Sequence, residues 1–311
     1  MKRAATFPLG IDVGAARTRV ALAARDARGR PFLVAVASRP TGRKPAHAIA
    51  EAWAELGTRE RRCVLAIGVP DAALHVISLP PMRALERARA ARFEAARFVA
   101  YPPDDTDVRV APSGDGRWVL GIARRSAVAS CAAGARRAGL RPVAVDDAAF
   151  ALGRAFPHAD AIVDIGEGGT IVIAPGNPVP AVARIPIGGS AFTAAIVASL
   201  GLDDAAAELR KRSVGLAGAG EHVRDALIGE LAAAFAERRS AARTEIRSIA
   251  LAGNGARLAG LAEALEAATA IPVRLGTLAA DAPGGLPLDV IRAASPDWAL
   301  AYGLAVWDDA A

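Results

Sequence analysis

Two short apolar runs flank the segment Asp12-Val13-Gly14: Leu9-Gly10-Ile11 before it, and residues 18–22 after it. The pattern predicts strand, glycine turn, strand. Turn residues at 26–31 lead to a third predicted strand at 32–37, which completes a meander. Residues 46–56 read as a helix with Ile49, Trp53 and Leu56 on one stripe, and 63–69 as a buried strand. Leu79-Pro80-Pro81 then breaks the chain. A helix is predicted over 84–99, with Leu85, Ala88, Ala95 and Phe98 at helical spacing, and it stops at Tyr101-Pro102-Pro103 because proline cannot continue it. A strand at 118–123, a helix at 126–138 closed by Gly139, a strand at 142–145 and a helix at 148–156 follow.

The same order then restarts. Strands are predicted at 161–165, 170–174 and 182–187, and helices at 190–200, 203–212 and 222–238. In the last helix Val223, Leu227, Leu231 and Phe235 recur every fourth position. A strand at 248–251, a helix at 257–268, a strand at 272–275, a loop at 280–287 and a helix at 296–307 end the chain. A meander followed by helix and strand therefore occurs twice. Self-similarity on this scale implies an α/β protein made by domain duplication, with a cleft between the copies. The expected division is 1–158 for the first domain, containing an inserted module at about 73–142, and 159–294 for the second. The helix from 295 to 311 would return to the first domain.

Bulk properties narrow the classes. With 311 residues, the chain is long enough for two cores. No apolar run reaches the ~18 residues that a bilayer crossing needs, and Asp12 interrupts the stretch behind Lys2 and Arg3, which argues against a signal peptide. These features predict a cytoplasmic chain. Only Cys63 and Cys131 are present, so neither a disulfide framework nor a cysteine metal site is expected. The net charge of +6 is almost all arginine, since lysine occurs only at 2, 44 and 211. Aromatics make up only 5%, too few for base-stacking platforms, so nucleic acid is not an expected partner.

The repeated turn carries the chemistry. In each copy a strand delivers Asp, an apolar residue and Gly, with Thr six positions after the Asp: Asp12, Gly14 and Thr18, then Asp164, Gly166 and Thr170. Glycine lets backbone N–H groups approach an anion without a Cβ in the way, and paired carboxylates offer hard oxygen ligands for Mg²⁺. The second turn adds Gly168 and Gly169, whereas the first has Arg17 and Arg19, either of which could reach phosphate oxygens or form a solvated ion pair. A third cluster, Gly253-Asn254-Gly255, falls between a strand and a helix, where a flat nucleoside could approach the backbone.

In this order the three clusters resemble the two phosphate motifs and the adenosine motif of the actin-like ATPases. Within that superfamily the chain is similar to the PilM family of type IV pilus assembly. Leu79-Pro80-Pro81 through Tyr101-Pro102-Pro103-Asp104-Asp105 resembles the entry to that family's inserted subdomain, and Ala138-Gly139-Leu140-Arg141-Pro142-Val143 its exit. Arg184-Ile185-Pro186-Ile187-Gly188-Gly189 with Thr193, and Ala207-Glu208-Leu209-Arg210-Lys211, match two further segments. The resemblance implies duplicated actin-like (ribonuclease H-like) domains around a nucleotide cleft, with a small inserted α+β subdomain. It implies ATP and Mg²⁺ as ligands, with Asp12 and Asp164 holding the metal through water. Gly14, Gly166, Gly168 and Thr170 would cradle the phosphates, Arg19 stands where the family often has lysine, and Gly188 and Gly189 would also bind the nucleotide. Glu208 would meet the ribose, Lys211 the adenine, and Gly253 and Gly255 would lie beneath the nucleoside.

This chain departs from the family at three points. Ala15 and Ala16 stand where hydroxyls are usual, and Ala252 and Asn254 where paired glycines are common. No general base is evident, Asp146 and Glu167 being the nearest candidates. The expectation is an ATP-binding scaffold with slow or no hydrolysis, peripheral to the inner membrane through partners. It would hold the N-terminal peptide of a PilN-like protein, and self-association is also conceivable. The alternatives are a small-molecule kinase of the same fold, an FtsA-like filament protein, or a relative from a secretion system.

Overall fold

The computed structural model describes residues 7–308 except 115, 175, 177, 217, 243–244 and 279–285. The runs around the first Asp–Val–Gly turn form β1 (Leu9–Val13) and β2 (Arg17–Arg25), paired antiparallel with Ile11 opposite Val20. β3 (Pro31–Pro40) completes the meander. On the other side of β1 lie β4 (Arg62–Ile67) and β8 (Arg141–Asp147), both parallel, so the order is β3-β2-β1-β4-β8. The second half repeats this with β9 (Ala161–Ile165), β10 (Thr170–Ala174), β11 (Ala181–Ile185), β12 (Ile249–Ala252) and β13 (Val273–Leu275) in the order β11-β10-β9-β12-β13. The two sheets thus share one topology, as the repeat requires.

Each sheet has an outer and an inner layer. α1 (Pro45–Glu55) and α3 (Arg125–Arg137) cover the outside of the first sheet, where Ile49, Ala52 and Ala135 pack on Leu9, Ile11 and Leu65. α5 (Gly189–Leu200), α7 (Glu221–Ala242) and α8 (Leu261–Thr269) do the same for the second, burying Phe192, Leu231, Phe235 and Leu265 with Val163 and Leu251. α6 (Asp204–Ser213) packs beside α5. Between the sheets lie α4 (Ala148–Ala155) and α9 (Leu288–Ala305), whose Leu152 and Tyr302 join Ala21 of one half to Ile162 and Ile173 of the other. A third sheet, β5-β7-β6, comes from the segment between β4 and α3, with β5 (Ala72–Ser78), β6 (Thr106–Pro112) and β7 (Arg117–Arg124) all antiparallel.

Several elements differ from expectation. β5 and β6 were not predicted, because Asp107 and Arg109 alternate with Val108 and Val110 in β6, and His75 interrupts β5, which dilutes the apolar signal. α2 (Ala84–Ala95) turns its small residues inward: Ala91 and Ala95 are buried in the third sheet's core, whereas Leu85 is 66% exposed. Of the stripe expected through Leu85, Ala88, Ala95 and Phe98, Ala95 is thus buried while Leu85 and Phe98 are exposed. Small side chains let the helix lie close to the sheet. α8 starts at Leu261, not 257, since residues 254–257 form a 3-10 turn and Gly260 takes a left-handed φ of 77°. α9 starts eight residues before the expected Pro296 and carries that proline inside it, where the Pro296 carbonyl accepts the Gly253 N–H at 2.8 Å. The expected 280–287 loop falls mostly outside the described residues.

α9 lies so close to its neighbours that two glycines are fixed by contact. A Cβ on Gly10 would fall 1.9 Å from the Ala301 carbonyl oxygen, and one on Gly303 would fall 1.8 Å from that of Ala151. Overpacking at such points costs about 1–3 kcal/mol or more. Gly10→Ala and Gly303→Ala should each lower the urea midpoint by that order. Gly153→Ala, in the same inner helix layer but with open space around it, should leave the midpoint unchanged or raise it slightly.

Candidate functional site

The first turn is braced from behind. The Gly14 N–H donates to the Arg17 carbonyl at 3.0 Å, and the Thr41 hydroxyl donates to the Gly14 carbonyl at 2.7 Å. Thr18, fully buried, meets Thr41 hydroxyl to hydroxyl at 3.0 Å. Alternation along β2 then sends Arg17 and Arg19 the other way, into the cleft. Arg19 reaches across it: one terminal nitrogen lies 3.3 Å from Asp12 Oδ2, and the other donates to Asn254 Oδ1 at 2.7 Å.

The second turn has the same frame. The Gly166 N–H donates to the Gly169 carbonyl at 3.0 Å, and the Thr170 hydroxyl donates to the Ile187 carbonyl at 2.7 Å. Arg184 supports the Gly168 carbonyl at 3.1 Å. Gly188 presses on the turn so closely that a Cβ there would fall 2.3 Å from the Gly169 nitrogen. The third loop packs on the end of β9. Gly253 has a φ of +77°, and a Cβ on Gly255 would fall 2.2 Å from Ile165 Cγ2. On α6, Lys211 donates to the Gly189 carbonyl and the Thr193 hydroxyl, both at 2.8 Å, and lies 2.6 Å from Glu208. Thr193 and Arg212 complete the shell around Glu208 at 2.8 and 2.7 Å.

These elements enclose a cavity of about 580 Å³ between the two halves. It brings together Asp12, Gly14 and Arg19 from the first turn with Asp164, Gly166, Glu167 and Gly168 from the second. Gly189, Glu208 and Lys211 form another wall, and Gly253 and Gly255 a third. Three of the sequence-selected residues lie elsewhere. Thr170 and Gly188 stand behind the second turn, and Asp146 is ion-paired with Arg154, whose Nε donates to the Gly303 carbonyl at 2.9 Å. Asp146, at the end of β8, therefore anchors the arginine that ties α4 to α9, and it is not among the residues that line the cavity. Sequence reasoning missed Ser38, Phe192, Arg212, Asp297 and Trp298, which also line it. No local motif marks them; they arrive through β3 and helices α5, α6 and α9.

Electrostatics single out the two aspartates. Burial raises the Asp12 carboxyl above its usual value, and Arg19 only partly offsets this. Asp164 is pushed up to about 6 by burial and by the charge of Asp12, again with Arg19 opposing. Glu208 goes the other way. Burial alone would raise it, but hydrogen bonds from Lys211, Thr193 and Arg212 outweigh that and hold it at about 2.

The description "Cell division protein FtsA" belongs to the family model that matches residues 161–303. Among solved structures, a PilM-PilN type IV pilus biogenesis complex is 28% identical, covers 96% of this chain and 97% of its own, and superposes with a TM-score of 0.83. The chain has a PilM-like actin/FtsA fold. The PilM likeness runs almost end to end, and the actin-like ATPase architecture expected from the repeated turns is the one observed. Two more distant structures share the fold alone. The ethanolamine utilization protein EutJ from Carboxydothermus hydrogenoformans is 16% identical, with coverage of 97% and 90% and a TM-score of 0.59. The (R)-2-hydroxyglutaryl-CoA dehydratase component A of Acidaminococcus fermentans is 12% identical, with coverage of 97% and 96% and a TM-score of 0.50. No curated protein matches by sequence.

The raised Asp164 carboxyl fixes the sign of a pH effect. A folded-state value above the unfolded 3.8 contributes stability below that pH and loses it as pH rises through about 6. On the order of 3 kcal/mol is involved. In ligand-free protein, Asp164→Asn should be more stable than wild type at pH 7–8, with the difference shrinking toward pH 4. Urea titrations across that range check it.

Proposed function

We propose that this chain is an ATP-binding scaffold of a type IV pilus or related assembly system, working at the cytoplasmic face of the inner membrane. One observation carries the reading: two glycine turns related by duplication face each other across a single cavity, each presenting an aspartate, in a chain with a PilM-like fold. The actin-like ATPase fold itself implies a nucleotide in that cleft. The backbone of Gly14, Gly166 and Gly168 would accept the phosphates, with Arg19 supplying positive charge. Glu208 and Lys211 would bound the nucleoside beside Gly253 and Gly255.

The donor chemistry fits Mg²⁺. Two carboxylates whose pKa values are both raised are short of positive charge. Among the described residues no group of three or more ligating side chains occurs, which suits an ion that keeps water and phosphate oxygens in its shell. Asp12 and Asp164 would hold it, and it would draw the phosphate charge toward the pair.

Hydrolysis is slow or absent in this reading. Glu167 is the candidate base, lining the cleft near Gly189, and Ala15 and Ala16 offer no side-chain donors. The likeness to a solved PilM-PilN type IV pilus biogenesis complex supports the scaffold reading. In this reading the groove between the first sheet and the three-stranded sheet would take the N-terminal tail of a PilN-like inner-membrane protein. Among the described residues no single helix is long and apolar enough to cross a membrane, so membrane attachment would run through that partner. Nucleotide that closes the cleft would then change peptide affinity, and the coupling must be reciprocal.

Calorimetric titration of Mg-ATP into wild type and Asp164→Ala, with and without a PilN-like N-terminal peptide, tests this. Wild type should bind ATP, the variant at least ~10-fold more weakly, and peptide should shift the ATP affinity. Equal affinities in the two proteins would remove the assignment of the cleft. Phosphate transfer to a sugar or small acid would replace the scaffold with a kinase.

A further inference from the structure

The cleft's cations are not equivalent. Arg19 faces Asp12 at 3.3 Å, Lys211 and Arg212 face Glu208 at 2.6 and 2.7 Å, and Arg257 faces Asp297 at 3.1 Å. Each has a carboxylate. Arg17 does not: its hydrogen bonds among the described residues go to Ser38, with Nη2 and Nε donating to the hydroxyl at 2.6 and 3.0 Å and Nη2 to the carbonyl at 3.4 Å. Both partners are neutral.

Its position is as informative as its pairing. Arg17 opens β2 immediately after the first turn, two residues before Arg19 and on the same face, with Thr18 between them turned into the core. That places it roughly 7 Å further along the strand, on the turn side of the Asp12–Arg19 pair. The turn beside it carries only the methyl groups of Ala15 and Ala16, so among the described residues Arg17 is the cationic side chain that serves this corner of the cavity, with the Ser38 hydroxyl beside it. Ser38, from the neighbouring strand, fixes the guanidinium by accepting from two of its nitrogens and leaves its other N–H groups for a ligand. Burial and the charges of Arg19, Arg212 and Arg39 oppose the Arg17 charge, and the more weakly acting Asp297 carboxylate offsets them only in part, so an anion placed there relieves repulsion from both halves of the molecule.

We propose that Arg17, propped by Ser38, is the receptor for the terminal phosphoryl group of the bound nucleotide, standing in for the hydroxyls that the first turn lacks. The proposal rests on the nucleotide reading above and extends it to which phosphate is read. The inner phosphates would lie on the backbone of the two turns, and discrimination of ATP from ADP would run through this one guanidinium. A guanidinium suits the task because its planar fork can meet two phosphoryl oxygens at once.

The test is to titrate ATP and ADP separately into wild type, Arg17→Ala, Arg17→Lys and Ser38→Ala, with thermal unfolding as the check on folding. Arg17→Ala should lose roughly 10- to 100-fold in ATP affinity, with ADP affinity within about 3-fold of wild type. Arg17→Lys should recover part of the ATP preference, and Ser38→Ala should lie between it and wild type. If Arg17→Ala does not fold, Arg17→Lys decides: a lowered ATP-to-ADP preference supports the role, and an unchanged one overturns it. Unchanged ATP affinity in Arg17→Ala, or parallel loss of ATP and ADP, overturns the role of Arg17 while the nucleotide site stands. Failure of wild type to bind either nucleotide removes the nucleotide reading, and this role with it.

Discussion

Two carboxylates drawn out of bulk water and set facing each other destabilise a fold unless something compensates them. Asp12 and Asp164 are in that position, and Arg19 is the compensation that the ligand-free protein supplies. One guanidinium against two carboxylates leaves the pair short of positive charge. The arginine also bonds to Asn254 on the opposite half, so the groups that crowd the aspartates also bridge the cleft. A ligand that brings positive charge to the aspartates, or takes over the partners of Arg19, therefore acts on the seam between the two halves.

The rest of the fold holds those carboxylates in place. Threonine hydroxyls fasten both turns from the protein side, Thr18 through Thr41 and Thr170 through the Ile187 carbonyl. Each turn thus keeps its shape without a ligand, and its cleft-facing surface is mostly backbone. α9 links the halves by lying against Gly10 and taking the Gly253 N–H on the Pro296 carbonyl. It packs on the first turn's strand and hydrogen-bonds the third loop, so a relative movement of the domains has to be absorbed along it.

Much of this was legible in the sequence because the duplication writes it twice. The Asp–Gly–Thr spacing located both turns, and the repeated meander located the first three strands of each sheet; the parallel strands beside them were placed only by the structure. What stayed hidden was side-chain direction. Spacing cannot say whether Thr170 faces a phosphate or a neighbouring carbonyl, or whether Asp146 faces the cleft or Arg154. Leu85 and Ala91 both satisfy a helical period, and only packing reveals that the smaller residue is the buried one. β6 was missed because charges fill its alternate positions. Ser38 and Asp297 enter the cavity from distant elements with no motif around them, so only the assembled fold shows that they share it with Asp12.

A structure of the protein with Mg-ATP would test the central claim most directly. The account predicts the triphosphate lying between the backbone of residues 12–19 and that of residues 164–170, with the metal within reach of Asp12 and Asp164 and the nucleoside against Gly253 and Gly255. Nucleotide bound anywhere else, or a cleft left empty at saturating ATP, would contradict it.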